Sequence, residues 1–173
     1  MSAAISENSC VDLAERAGRY LTFALGGASY GISAANVREI IRMIDITPVP
    51  HMPRCVKGVI NLRGKVVPII DLRLRFDLAT TQSVERVCII IVQSATRART
   101  GNLMGLMVDA EEEVSQLTVE QFSPAPKSRD PANRDFIVAA ARLPGGVKTL
   151  LDLDRLIAAV ASEEIGSPAA LAA

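Results

Sequence analysis

The sequence has few aromatic residues and no surplus of charge of either sign. Aromatic residues make up 3% of the 173 residues, and tryptophan is absent. Nineteen basic and nineteen acidic side chains give a formal net charge of zero. Single-stranded nucleic acid is bound on aromatic platforms, and nucleic acid in general attracts positively charged proteins. The composition therefore argues against a nucleic-acid partner.

Long hydrophobic runs are also missing, although 49% of the residues are hydrophobic and the mean hydropathy is +0.27. No run approaches the roughly 20 apolar residues that cross a bilayer, so no direct membrane insertion is expected. Residues 1–18 lack the basic and apolar regions of a signal peptide, which favours a cytoplasmic location. High apolar content without a span predicts a large core, an exposed interaction surface, or both.

The residues that enzymes and metal sites need are sparse. The three cysteines, Cys10, Cys55 and Cys88, are widely spaced, so neither a disulfide framework nor a zinc site is predicted. His51, the one histidine, lies in a proline-rich connection with no nucleophile indicated nearby. Phosphate-loop, dinucleotide and nucleophile-elbow motifs are absent from the sequence. We therefore expect no catalytic residues, no metal and no cofactor.

Two groups of acidic residues have alternative interpretations. Glu111, Glu112 and Glu113 form a charge run that is either a solvated surface or a metal or partner site. The solvated surface is favoured because no other carboxylate or histidine is placed to complete a coordination shell. Asp152 and Asp154 are either paired carboxylates or, as we favour, the cap and first-turn acid of a helix.

Period-two alternation and turn signals predict a mostly β chain. From Arg19, apolar residues alternate up to Gly26-Gly27, a dipeptide that suits a two-residue hairpin turn. The run of apolar residues over 87–92 predicts a strand buried on both faces. Further strands are predicted at residues 28–32, 37–46, 56–62, 65–72, 103–108, 114–122, 136–143 and 147–151.

One longer helix and two short helical turns complete the expected elements. Apolar residues at helical spacing begin near Asp152 and end before Gly166, which predicts a C-terminal helix. Ser33 is placed to cap a short turn over residues 34–36. Residues 71–76 are expected to leave the preceding strand as a helical turn or an irregular exit.

We expect the chain to be organised around the hairpin over residues 56–72. Its two apolar strands meet at Arg63 and Gly64, and Gly64 supplies a permissive backbone at the bend. Pro68 cannot donate to a ladder, which predicts an edge strand or a bulge. An arginine on a rigid turn is expected to have a fixed partner, within this chain or on another protein.

Two sequence echoes favour a duplicated plan, although chance could produce either one alone. Each half has a glycine followed eight residues later by a glutamate, and a strand that ends in Asp-Leu. The matching pairs are Gly31 with Glu39, Gly105 with Glu113, and residues 66–72 with 147–153. The prediction is two sets of about five short strands packed together, with a groove at their seam that could hold a partner's helix.

The chain resembles the CheW family of bacterial chemotaxis coupling proteins over residues 19–161. The motifs that carry the resemblance are VREI at 37–40, PVP at 48–50, KGVINLRG at 57–64 and VPIIDLR at 67–73. The resemblance implies an all-β fold with a C-terminal helix, in which two SH3-like five-stranded β-barrels pack around a shared hydrophobic core. Interleaving of the barrels at the chain ends is compatible with it. Residues 1–18 are expected to be a flexible arm and 162–173 a disordered Ala-rich tail.

The function that the resemblance implies is a non-enzymatic scaffold coupling methyl-accepting chemoreceptors to the histidine kinase CheA. Its partners would be the cytoplasmic tip of the receptors and the regulatory domain of the kinase. The implied location is the cytoplasm, with recruitment to membrane-bound receptor arrays. The sequence contains no kinase or receiver segment, which favours a stand-alone coupler. The alternative is a small-barrel ligand-binding or regulatory domain without a kinase partner.

The family motifs also imply site residues. The receptor-side residues are Val37, Glu39, Gly58 and Arg63. The kinase-side surface is implied on the strand Arg42, Met43 and Ile44. Cys55 departs from the family pattern, which commonly has a bulky aromatic residue at this place, and this affects local packing.

Glu39 and Arg63 have two interpretations. They form either a recognition pair or an internal salt bridge that fixes the hairpin, and an internal pair could still shape the receptor site from beneath. An exposed pair would contribute about 0 to 1 kcal/mol. Removing one partner of a buried pair would cost about 3 to 5 kcal/mol.

Overall fold

The computed structural model describes residues 16–76, 78, 86–94, 103–124 and 136–165, without the side chains of 161–165. Its strands are β1 (Gly18–Leu25), β2 (Ala28–Ser33), β3 (Val37–Arg42), β4 (Val56–Leu62), β5 (Lys65–Asp71), β6 (Cys88–Gln93), β7 (Leu103–Val108), β8 (Ala110–Leu117), β9 (Phe122–Ser123), β10 (Ile137–Leu143) and β11 (Gly146–Leu151). Its α-helices are α1 (Leu72–Arg75) and α2 (Leu153–Ile165), and 3-10 turns cover Ala34–Asn36 and Val119–Gln121. Most of the expected arm and tail lies outside the described residues.

The strands form two sheets with matching orders. The first sheet is β3-β6-β7-β5-β4, called the first barrel below. The second is β8-β1-β2-β11-β10-β9, called the second barrel. The two orders match strand by strand: β8 corresponds to β3, β1 to β6, β2 to β7, β11 to β5, and β10 to β4. The two-residue β9 is an extra edge strand of the second barrel. The β1–β2 hairpin therefore completes a sheet that is otherwise built by the end of the chain.

The register of the sheets supports the duplicated plan. Gly105 is opposite Ile69 where β7 runs parallel to β5, and Gly31 is opposite Leu150 where β2 runs parallel to β11. Residues that echo in the sequence thus occupy equivalent positions. Both glycines leave room for the aliphatic side chain beside them, since a Cβ on Gly31 would lie 2.9 Å from Leu150 Cδ2.

Three buried clusters stabilise this arrangement. One lies in the first barrel, one in the second, and the largest lies between them. Strand β6 serves two of them, because Ile89 and Ile91 belong to the first-barrel cluster. Its alternate residues Cys88, Ile90 and Val92 belong to the shared one. The two-sided burial predicted for this strand is confirmed, as is the shared core.

The strand predicted over residues 37–46 is too long. β3 ends at Arg42, which is opposite Cys88, the first residue of its partner β6. Beyond that point β3 has no neighbour with which to continue a ladder. Met43 and Ile44 therefore lie outside the sheet, and their predicted placement on a strand is wrong.

Pro68 does not lie on an edge strand, so that prediction is wrong. β5 lies between β7 and β4 within its sheet. Pro68 is tolerated because β5 pairs with β7 only from Ile69 onward, which leaves Pro68 with a strand partner on one side. The bulge that was the alternative lies nearby in β4, where the register shifts between Val56 and Gly58.

The acidic run over residues 111–113 lies within a strand, whereas the sequence predicted a strand only from Val114. β8 begins at Ala110 and pairs with β1 alone at the edge of its sheet. The ladder forms from backbone groups, and an edge strand leaves charged side chains free to face water. The strand can therefore include the acidic run.

The helical elements follow the predictions except for one cap. The Asp71 side chain accepts the N–H of Arg73 at 3.0 Å at the start of α1. Asp152 accepts the N–H of Arg155 at 3.1 Å at the start of α2, which confirms its predicted capping role. Ser33 precedes a 3-10 turn but makes no side-chain cap hydrogen bond, so its predicted capping role is wrong.

Gly105→Ala tests the close packing between β7 and β5. The new Cβ would press on Ile69 Cδ1 and lie 2.8 Å from Ile89 Cγ2, both on fully buried side chains. We expect the free energy of unfolding to fall by about 1 to 3 kcal/mol, measured by urea denaturation. Gly145→Ala is the matched control, because a Cβ there meets nothing within 4 Å. Equal stability of the two variants would contradict the packing argument.

Candidate partner-binding site

The turn between β4 and β5 places an arginine in a left-handed backbone conformation. Arg63 has a φ of 50° and Gly64 a φ of 82°, and Asn61 Oδ1 accepts the Gly64 N–H at 2.9 Å. The permissive role predicted for Gly64 is confirmed. Left-handed backbone costs a residue with a side chain roughly 1 to 2 kcal/mol, and asparagine or glycine would be preferred at Arg63. A strained residue on an exposed turn suggests a functional position.

Arg63 contacts Glu39 across the first barrel. Arg63 Nη2 forms an ion pair with Glu39 Oε1, and Nη1 donates to Oε2 at 3.4 Å. Glu39 lies on β3 and Arg63 on the turn after β4, and β3 and β4 are the two outer strands of this sheet. The pair therefore connects the two edges of the curled sheet. The internal salt bridge, one of the two interpretations of these residues, is present.

The exposure of this pair decides what it contributes. The Arg63 side chain is 74% exposed and that of Glu39 is 29% exposed. A pair so open to solvent contributes about 0 to 1 kcal/mol, so it does not explain the stability of the barrel. It does hold a guanidinium in a set orientation at the surface, with most of its area still accessible.

The packing around residue 58 requires a glycine. Its φ is 148°, and a Cβ there would collide with the carbonyl group of Thr47. Thr47 and Val59 exchange two backbone hydrogen bonds of 2.9 Å, which attach the proline-rich connection to β4. A side chain at Gly58 would displace this connection. The receptor-side role of Gly58 stays a prediction.

The other expected site residues differ from this pair in burial and in backbone structure. Val37 is partly buried and packs against the shared core. Arg42 is exposed at the end of β3. Met43 and Ile44 follow it in irregular backbone and are 41% and 44% exposed. The three residues implied for the kinase side therefore share exposure, although they do not share a strand.

The second barrel is tied together by a buried cation. Lys148 Nζ on β11 lies 2.7 Å from Glu112 Oε2 on β8, and Lys148 is only 7% exposed. Ser29 Oγ donates to Glu112 Oε1 at 2.7 Å. The hairpin turn of this barrel is Pro144-Gly145, so no cation occupies the position equivalent to Arg63.

The environment of Glu112 favours its charged form. Burial raises the pKa of Glu112, but the hydrogen bonds from Lys148 and Ser29 outweigh it, and the pKa lies below its ordinary value of 4.5. All three glutamates of the acidic run lie at exposed positions, as the interpretation of a solvated surface predicted, but that interpretation did not include the ion pair between Glu112 and Lys148. The missed signal was a lysine within the mostly apolar strand β11, which precedes α2.

A polar pocket beside the start of α2 contains none of the expected site residues. It is lined by backbone and side chains that include Arg16, Arg19, Ser33, Asn36 and Asp152. Arg16 Nη1 lies 3.5 Å from Asp152 Oδ2, so these opposite charges offset each other. Among the described residues no cluster of three or more His, Cys, Asp or Glu side chains could hold a metal ion.

No helix in the described part of the chain is long and apolar enough to cross a membrane. Burial raises the pKa of the Cys88 thiol, and Cys55 is buried as well. Both thiols lie in the shared core, as predicted for core cysteines.

Comparisons with known proteins match this architecture. Residues 19–161 match the family model described as CheW-like domain. The chemotaxis protein CheW of Klebsiella aerogenes is 33% identical over 146 residues, covering 84% of this chain and 83% of the relative. CheW of Rhizobium meliloti is 31% identical over 134 residues, covering 78% and 83%.

A solved structure extends the likeness to three dimensions. The scaffolding protein TtCheW from Thermoanaerobacter tengcongensis superimposes with a TM-score of 0.68 at 30% identity. The match covers 79% of this chain and 90% of that one. With the two matching sheets and the C-terminal helix, this confirms the predicted all-β fold of two SH3-like barrels around a shared core.

Glu112→Gln tests the ion pair between Glu112 and the buried Lys148 in the second barrel. Because the folded-state pKa of Glu112 lies below its ordinary value, the charge stabilises the fold above about pH 4.5 and ceases to do so as the pH falls through the folded-state pKa. We expect the variant to lose roughly 0.5 to 1.5 kcal/mol at pH 7, because solvent at the exposed Glu112 position weakens the pair, with the difference narrowing below pH 4.5. Urea denaturation across this range measures it.

Glu113→Gln is the neighbouring control, since Glu113 lies on the same strand and is exposed. It should leave the free energy of unfolding nearly unchanged at both pH values. A Glu112→Gln deficit that does not depend on pH would show that the charge of Glu112 is not what stabilises the barrel.

Proposed function

Since the chain belongs to the CheW-like family and is a chemotaxis coupling adaptor, we propose that it joins methyl-accepting chemoreceptors to the histidine kinase CheA. The receptor contact is with the cytoplasmic tip, and the kinase contact is with the regulatory domain. The protein works in the cytoplasm, at membrane-bound receptor arrays, and catalyses no reaction. The similarity to relatives named as chemotaxis protein CheW, and to a solved structure described as a scaffolding protein, supports this proposal.

The observation that carries the receptor contact is the exposed pair of Glu39 and Arg63. The turn holds Arg63 in a left-handed backbone conformation, which costs stability that glycine or asparagine at this position would not cost. Glu39 orients the guanidinium, while 74% of the Arg63 side chain remains available to a partner. A cation fixed before binding loses little conformational entropy when a partner arrives. Val37 and Gly58 belong to the same proposed surface.

The kinase contact is proposed at Arg42, Met43 and Ile44. Met43 and Ile44 are large apolar side chains exposed directly after an edge strand. Apolar area of this kind is what the centre of a protein interface buries, with polar residues such as Arg42 at its rim. The ligand-binding domain without a kinase partner, the alternative from the sequence, is not favoured by the family membership.

Arg63→Ala tests the receptor contact. The variant should remain folded, with a stability within about 1 kcal/mol of the native chain, because it loses only an exposed pair. It should lose binding to receptor cytoplasmic fragments in a pull-down. Arg63→Asn sharpens the test, since asparagine suits the left-handed turn and should unfold no earlier than the native chain.

Arg155→Ala is the matched control, because Arg155 is a 57% exposed arginine with an acidic neighbour on α2. It should bind the receptor fragment normally. Receptor binding that survives in both Arg63 variants would contradict the proposed contact. A fall in melting temperature that unfolds Arg63→Ala at room temperature would show that Arg63 is chiefly structural.

Binding to the isolated CheA regulatory domain tests the kinase contact. We expect saturable binding that tolerates salt, because apolar area dominates it. Replacing both Met43 and Ile44 by serine should weaken it at least about tenfold. Val147→Ser, at a 61% exposed position of the second barrel, is the control for lost surface apolarity. No binding of the native chain at tens of micromolar would favour the ligand-binding domain instead.

A further inference from the structure

The short helix α1 carries a buried arginine that contacts two carboxylates. Arg73 is 9% exposed and Asp71 is 3% exposed. Arg73 Nε lies 3.5 Å from Asp71 Oδ1, and Arg73 Nη1 lies 3.5 Å from Asp109 Oδ1. Asp71 ends β5 in the first barrel. The motif VPIIDLR contains both Asp71 and Arg73, but the proposed partner contacts use neither.

Asp109 links this arginine to the second barrel. It is the single residue between β7 of the first barrel and β8 of the second. Its Oδ2 accepts the N–H of Gly26 at 2.8 Å, and its own N–H donates to Ala24 O at 3.1 Å. Ala24 and Gly26 belong to β1 and its hairpin turn in the second barrel. One guanidinium is thus connected to the first barrel through Asp71 and to the second through Asp109.

Aromatic rings extend the same junction. Phe76, directly after α1, stacks on Tyr30 at 5.5 Å between ring centroids and contacts Phe136 at 5.4 Å. Tyr30 in turn stacks on Phe23 at 6.1 Å. The guanidinium of Arg75 lies 5.1 Å from the centroid of the Phe136 ring. Residues of α1 and Phe76 therefore contact the second barrel at several points.

We propose that Arg73 is a positioning residue that fixes the orientation of the two barrels relative to each other. The apolar shared core supplies stability but little directional constraint, whereas two buried ion pairs that meet at one guanidinium favour the arrangement in which both can form. The planar guanidinium suits this role because its separate nitrogens reach two carboxylates at once, which a lysine ammonium does not do in the same way.

The functional consequence rests on the proposed function. The proposed receptor and kinase contacts both lie on, or directly after, strands of the first barrel, and Val37 of the receptor surface packs against the shared core between the barrels. A change in the orientation of the second barrel would alter the surroundings of that surface without removing any of its contact residues. Loss of the Arg73 contacts should therefore leave each single partner bound but impair the activation of the kinase by receptors.

Distance measurement between spin labels tests the positioning role directly. Labels at Val66→Cys and Val147→Cys report on the two barrels, since both positions are exposed, at 69% and 61%. A Cys10→Ser background leaves only the buried Cys55 and Cys88 as other thiols. The native chain should give one narrow distribution, and Arg73→Met should shift or broaden it well below its melting temperature.

Ile69→Val is the control, because Ile69 belongs to the first-barrel cluster and a lost methylene there lowers stability without touching the junction. It should keep the narrow distribution. Asp109→Asn serves as a second variant if Arg73→Met does not fold, and Arg73→Lys should give an intermediate width. A distribution as narrow in Arg73→Met or Asp109→Asn as in the native chain would overturn the inference.

Kinase activation in receptor-containing membranes gives the functional readout. Arg73→Met should bind receptor fragments and the CheA regulatory domain within about twofold of the native chain, yet lower receptor-dependent kinase activity roughly fivefold or more. Activity equal to that of the native chain would overturn the coupling role. If the native chain binds neither partner, the proposed function fails, while the distance measurement still decides the positioning role.

Discussion

The central strands of this protein bury both faces, and the rest of the structure depends on this constraint. In β6, Ile89 and Ile91 belong to the core of the first barrel, while the residues between them belong to the shared core. In β1, Tyr20 belongs to the second-barrel core and Phe23 to the shared one. A slip of one residue in either strand would exchange these sets. Register, barrel closure and barrel packing are therefore fixed by the same alternation.

Interleaving makes the two barrels depend on each other. The β1–β2 hairpin lies in the second barrel, and the chain then crosses to form β3 of the first. The two copies also differ at one equivalent position. Asp71 N–H donates to Cys55 O at 2.7 Å, and Asp152 N–H donates to Phe136 O at 2.8 Å. Cys55 and Phe136 thus occupy equivalent positions, and both side chains belong to the shared core.

The sequence was sufficient where a local signal decides the structure. The Gly26-Gly27 turn, the hairpin around Arg63 and the buried run of β6 follow from residue type and period alone. The sequence was insufficient where a neighbouring strand determines the length of an element. β3 ends at Arg42 because β6 begins opposite it, and no local feature of residues 43–46 indicates that end.

The candidate site was predictable in part for the same reason. The family motifs predict Glu39 and Arg63 as site residues. They do not predict the left-handed backbone of Arg63, which depends on the two-residue turn. Of the kinase-side residues, Arg42 ends β3, whereas Met43 and Ile44 fall outside the strand on which they were predicted. The burial of Lys148 and Arg73 depends on contacts distant in sequence, with Glu112 and Asp109, that no local pattern reveals.

The ion pairs discussed above differ in burial, and burial determines what each contributes. Arg73 and Lys148 are buried, so removing an acidic partner leaves a charge in a poorly solvated site. Arg63 is open to water, so its contact with Glu39 can be exchanged at a cost of about 0 to 1 kcal/mol. A partner carboxylate or carbonyl can therefore compete for a guanidinium that is already oriented. Lys148 joins strands within the second barrel, Arg73 lies at the junction of the barrels, and the exposed Arg63 remains accessible to a partner.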